Sequence, residues 1–144
     1  MTTVRRALLY LLCLGMLGAG TELLLLEHYE DPWQLAPLIV LGLGLIVLVW
    51  CAATRSRASV RLLQAVMVVF MVTGIVGLWM HYSGNAEFEL EMVPTRTGLS
   101  LVWESLRGAT PAVAPATMLY LGLLGLVYTV RHPSLAPTSS EESS

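Results

Sequence analysis

Four apolar blocks, broken by shorter polar stretches, run along this chain: Ala7–Leu26, Ala36–Ala53, Leu62–Met80 and Val113–Val130. Each is long enough to cross about 30 Å of hydrocarbon as a helix, which takes roughly 17–25 residues. The pattern predicts an all-α polytopic membrane protein, a four-transmembrane-helix bundle with short links between its first three spans. Pro37 and Pro115 lie near the starts of the second and fourth blocks. Early helix positions tolerate proline because their N–H groups have no helical partner.

The stretch between the third and fourth blocks is long for a plain connector, and it carries two patterns of its own. "EFELEM", Glu87–Met92, alternates acid and hydrophobe. That is the period of a strand, or of an extended segment laid on the bilayer or the bundle. "TGLSLVWESLRG", Thr97–Gly108, places Leu99, Val102, Trp103 and Leu106 at i, i+3, i+4 and i+7, with Ser100, Glu104 and Arg107 opposite. It predicts a short interfacial amphipathic helix over 97–107, capped by Thr97 and ended near Gly108. Alone such a helix is marginal, so it must rest on lipid or on the bundle. Residues 133–144 are Ser/Pro-rich and acidic, without periodicity, and predict a disordered cytoplasmic tail after a single domain spanning 1–132.

Composition strengthens the membrane assignment. The chain is 56% hydrophobic and only 12% charged, where soluble domains run near 45–50% and 25%. All eight basic residues are arginines, and their positions set an orientation. Arg5, Arg6, Arg55, Arg57, Arg61 and Arg131 fall on one side of the expected spans; Arg96 and Arg107 fall on the other. The positive-inside rule then places both termini of this multi-pass protein in the cytoplasm, with the acidic stretch facing the periplasm of a bacterium or the lumen of a eukaryotic organelle. The first twenty residues also have the basic start and apolar core of a cleavable signal. However, the apolar run resumes at Leu23–Leu26 and three more blocks follow, so the first helix is expected to stay. A net charge of −2 offers no basic field for nucleic acid. Cys13 and Cys51 both fall within apolar blocks and read as small buried hydrophobes.

Leucine gains little by leaving lipid for a neighbouring helix, so small residues mark where backbones approach. Gly15, Gly18 and Ala19, then Gly42 and Gly44, then Thr73, Gly74 and Gly77, then Gly122 and Gly125 give each span such a place, facing either the chain itself or a partner. Trp33, Trp79 and Trp103 fall at outer boundaries and read as interfacial anchors.

The ionisable residues gather on the outer side. Glu22 lies about four residues inside the first span, roughly 6 Å deep, on the helical face of Gly15, Gly18 and Ala19. Two readings stay open for it: a proton or ion ligand on the packing side, or an edge carboxylate reaching back to water. Beyond it stand Glu27, His28, Glu30 and Asp31, and His81 ends the third block at the same level. Glu22, His28, Glu30, Asp31 and His81 together form a candidate site for a proton or a divalent cation. Imidazole suits Zn, Cu or Ni, and carboxylate suits Ca, Mg or Mn. The spacing matches no known metal motif, and a solvated acidic face or a docking surface are the competing readings. No thiol pair, phosphate-binding Gly-Lys loop, nucleophile elbow or His-Glu-x-x-His occurs.

The strings "ELLLLEHYED", "GNAEFELEM" and "ATPAVAPATM" resemble a group of small four-span bacterial inner-membrane proteins. The resemblance implies a helical bundle in that membrane and carries no assigned activity. The expectation is a non-catalytic accessory or scaffold subunit. Its partners would be the lipid bilayer and either another membrane protein or further copies of itself, met through an acidic extracytoplasmic face. The alternative is a cation- or proton-handling protein built on the outer Glu/His/Asp cluster.

Overall fold

The computed structural model describes residues 3–108 and 115–136. Within them the chain is helical: α1 Thr3–Leu25, α2 Pro32–Thr54, α3 Arg57–Met92, α4 Gly98–Leu106 and α5 Ala116–Thr129, followed by a 3-10 turn at Pro133–Leu135. Helices α1, α2 and α3 are long and apolar enough to cross a membrane. Helix α5 has 14 residues, about 21 Å at 1.5 Å per residue. The first two residues of the fourth expected span, 113 and 114, lie outside the described residues.

Three boundaries differ from the sequence expectation, each for a local reason. Helix α2 starts at Pro32, ahead of Ala36. Pro32 occupies the first helical position, and the Asp31 carboxylate accepts the Trp33 N–H at 2.8 Å. "EDPW" therefore opens the second helix. Helix α3 runs through Met80 to Met92 and absorbs "EFELEM". Extending an existing helix avoids the cost of nucleation, and glutamate is a good helix former; the period of two carries no strand here. The helix stops at Val93, whose helical conformation the following Pro94 disfavours. The expected tail begins in order: His132 is buried and Pro133–Leu135 forms a turn. The rest of it, 137–144, lies outside the described residues.

Helix α1 packs on α2 and α5, and α3 packs on the same two, so the four contact one another in a closed cycle; α4 packs on α3. Leu12, Met16, Leu48, Leu63, Met67, Phe70 and Leu121 fill the centre. The closest approach is between α3 and α5. A Cβ at Gly122 would stand 2.6 Å from the Met67 carbonyl oxygen, and one at Gly74 would stand 2.7 Å from the Leu119 nitrogen. Gly18 and Gly42 have nothing within 4 Å of that position, so their role is not packing within this chain. Leu14, Leu17, Ile39, Ile46, Val72, Ile75 and Leu123 face outward and exposed, an apolar girdle far larger than a water-soluble monomer carries.

The cycle has a polar lock at one end, which we call the arginine end. The Arg5 guanidinium donates to the carbonyl oxygens of Tyr128, Val130 and Arg131 at 3.4, 3.1 and 3.1 Å. It thereby satisfies the Tyr128 carbonyl in the last turn of α5 and the two carbonyls that follow the helix, which no helical N–H reaches. Gln64 donates to the Thr129 hydroxyl at 3.1 Å, and the Ser134 hydroxyl donates to the Arg55 carbonyl. Ser56 and Ser59 form a capping box that starts α3 immediately after α2. These contacts fix the start of α1, the end of α2, the start of α3 and the end of α5 at one level.

Candidate functional site

At the opposite, acidic end, α1 closes with a Schellman turn. The His28 N–H donates to the Leu23 carbonyl at 2.9 Å and the Glu27 N–H to the Leu24 carbonyl at 3.1 Å. Such a turn needs a left-handed residue, and Glu27 supplies it at φ 53°. Glycine would do so without strain; a glutamate costs roughly 1–2 kcal/mol there. The turn aims His28 across to α3, where its ring centroid lies 6.3 Å from that of His81. Both rings are partly buried.

The remaining candidate residues do not join them. Glu30 is exposed, and its backbone N–H donates to the Gln34 side-chain oxygen. Asp31 is committed to capping α2. Glu22 is exposed, although its face is the packing face: Gly15, two turns earlier, lies against Leu121 of α5. Glu22 stands about 10 Å beyond Gly15, past the level of Ala116 where α5 begins, so no α5 helix covers it. Among the described residues no three His, Cys, Asp or Glu side chains come close enough to share one ion. The five-residue site therefore resolves into a pair, His28 and His81, with carboxylates around it in water.

The acidic end also carries a built ledge. Beyond Met80 helix α3 continues for twelve residues, about 18 Å, and α4 folds back onto it. Asn85, 4% exposed, donates to the Ser105 carbonyl at 2.8 Å. Arg96 pairs with Glu89, with both side chains mostly covered. Gly108 closes against the Asn85 amide, and a Cβ there would come within 2.5 Å of it. Thr97 stands at the start of α4 but makes no side-chain capping bond; the ties just described hold the helix in place. Buried Ser105 faces the bundle, while Leu99 (88% exposed), Val102, Trp103 and Leu106 face away from it. The Arg107 guanidinium lies 5.8 Å from the Trp103 ring centre, within cation–π reach. Glu87 and Glu91 project from the ledge into the open.

Chemically, this end offers two borderline nitrogen donors side by side and a fixed array of carboxylates. Sequence reasoning reached the residues but missed the ties. Asn85 gave no sign of being the pin between α3 and α4, because an asparagine in "SGNAE" reads equally well as a loop residue. No protein-family model matches this chain, and neither a curated relative nor a solved structure does.

Proposed function

We propose that this chain is a four-span protein of a bacterial inner membrane, with both termini cytoplasmic, serving as a non-catalytic accessory subunit that docks a membrane-protein partner on its acidic outer face. In this arrangement α4 lies in the outer interface with its exposed apolar side in lipid, and Trp33, Trp79 and Trp103 anchor at headgroup level. The observation that carries the reading is the ledge: an α3 extension of about 18 Å pinned to α4 through buried Asn85. Holding Glu87 and Glu91 on a stiff support beyond the girdle pre-orders them for a basic partner segment. The test is native mass spectrometry after mild detergent extraction from the source membrane. A defined stoichiometric partner, lost in Glu87→Lys/Glu91→Lys, is expected; a strictly monomeric species in both proteins overturns the proposal.

A second reading is favoured by the His28–His81 approach of 6.3 Å. Two imidazoles at that separation can hold a Zn, Cu or Ni ion between them, clamping the α1–α2 turn to α3. Titration of the purified protein with Zn²⁺ should give a binding isotherm that His81→Ala removes. An isotherm identical in the variant refutes it.

A further inference from the structure

The arginine end holds a groove that neither the acidic ledge nor the histidine pair uses. It lies between the start of α1 and the end of α5, has a volume of about 240 Å³, and is lined by Val4, Arg5, Leu8, Val127, Tyr128 and Val130. Its walls are apolar, and Val4, Val127 and Val130 stay more than half exposed along it. Its mouth is basic. Arg5 lines it directly, and exposed Arg131 directly follows the lining residue Val130; Arg6, two residues from both Val4 and Leu8, stands about 160° away on the far side of α1. No Asp or Glu occurs at this end among the described residues; Arg55, Arg57 and Arg61 lie at the same end of the bundle, around the α2–α3 turn.

The charge at the mouth is not cancelled by the helix beside it. The end of α5 is the negative pole of that helix. Arg5 already answers it, donating to the Tyr128 carbonyl near the end of α5 and to the Val130 and Arg131 carbonyls that follow the helix. Arg131 comes on top of that balance and leaves the mouth net positive. A groove of this kind between two helices, apolar along its length and basic at its cytoplasmic mouth, matches one ligand shape: an acyl chain joined to an anionic headgroup.

We propose that this groove is a binding site for an anionic glycerophospholipid, with one acyl chain lying between α1 and α5 and the phosphate held by Arg131 beside the fixed Arg5. The proposal rests on the membrane placement given above. Selection comes from the headgroup, because an acyl chain gains little by exchanging lipid for an apolar protein wall. Arg5 serves as a positioning residue whose loss would also uncap α5, so it is left intact in the test.

The full-length protein is placed in nanodiscs of mixed phosphatidylglycerol and phosphatidylcholine, then released into the gas phase so that retained lipids can be counted. Phosphatidylglycerol should be retained over phosphatidylcholine. Arg131→Gln should lower that preference about fivefold, the equivalent of the ~1 kcal/mol that a basic residue contributes near an anionic surface, while Arg6→Gln, on the far side of α1, should leave it unchanged. Val127→Trp, which fills the groove from an exposed position without changing charge, should abolish retention of the last lipid. Equal retention of the two lipids overturns the proposal. So does an equal loss of preference in Arg6→Gln and Arg131→Gln with full retention in Val127→Trp, which would mark diffuse attraction to the basic end. A protein that stays soluble without detergent or nanodisc would instead overturn the membrane placement itself.

Discussion

Replacing Gly122 with alanine tests whether α3 and α5 touch backbone to backbone. The added Cβ would lie 2.6 Å from the Met67 carbonyl oxygen, 2.7 Å from the Met71 Cγ and 3.1 Å from the Met71 nitrogen. The Met71 side chain can swing aside, but the Met67 oxygen and the Met71 nitrogen move only if α3 moves. Overpacking of this sort costs about 1–3 kcal/mol. Alanine also favours helix over glycine by up to about 1 kcal/mol, which would mask part of that cost. Gly18→Ala removes the ambiguity, because it carries the same propensity gain at a site with nothing within 4 Å. The difference between the two variants isolates the clash. It should be about 1–3 kcal/mol, with Gly18→Ala at or above the parent and Gly122→Ala below it. Unfolding by a denaturing detergent in mixed micelles, followed by far-ultraviolet circular dichroism, measures both. Two variants equal within about 0.5 kcal/mol, the ordinary spread for neutral substitutions, would refute the close α3–α5 approach and the closed cycle built on it.

Other substitutions report on the two ends. Asn85→Ala strands the buried Ser105 carbonyl at a cost of about 1–3 kcal/mol, so amide exchange across Leu101–Leu106 should quicken tenfold or more while the rest of α3 keeps its protection. Glu27→Gly relieves a left-handed glutamate and should stabilise the protein by roughly 1 kcal/mol, measured in the same detergent titration; a loss there would mean that the Schellman turn is misassigned. Burial first, and then the charges of Arg5 and Arg55, hold the His132 imidazole below its ordinary value of 6.5. The folded state therefore keeps this ring neutral, with its Nδ1 accepting the Ser134 N–H at 3.3 Å and its ring 6.0 Å from Tyr128. The unfolded chain takes up the proton first, so stability is full above about pH 6.5 and falls as the pH drops below it. His132→Gln should flatten that part of the pH profile.

The helices were legible in the sequence wherever composition alone decides. Apolar runs of the right length became α1, α2 and α3, and the i, i+3, i+4, i+7 pattern at Leu99–Leu106 became α4 with that stripe exposed. Helix ends were less legible. Glycine usually marks the left-handed residue that closes a helix, yet Glu27, Arg55 and Arg131 hold that conformation after α1, α2 and α5. No local pattern announces such a position, because tertiary contacts stabilise it: Ser134 on the Arg55 carbonyl, Arg5 on the Arg131 carbonyl. The polar lock was hidden for the same reason. Arg5 counted only as a charge setting orientation, while its partners lie more than 120 residues away.

Glu22 shows where periodicity stops being informative. The helical wheel put it on the face of Gly15, and Gly15 does meet Leu121. A wheel fixes the angle around one helix and says nothing about how far the neighbouring helix extends. The partner of that face begins at Ala116, so the carboxylate about 10 Å beyond Gly15 stands clear of it and exposed. Angle, which the wheel does fix, separates Gly44, pressed under Phe70, from Gly42, two residues before it and about 200° around the same helix, with open space around it. Small residues on a membrane helix therefore split into those that a neighbour reaches and those that it does not. Gly18, Gly20 and Gly42 belong to the second group, and Gly20 and Gly42 line one continuous apolar groove between α1 and α2. A partner helix seated there would protect these positions while leaving Gly74 and Gly122 unchanged. Crosslinking from cysteines at Gly20 and Gly42, compared with exposed Leu14, would therefore separate association through the bundle face from docking through the acidic ledge.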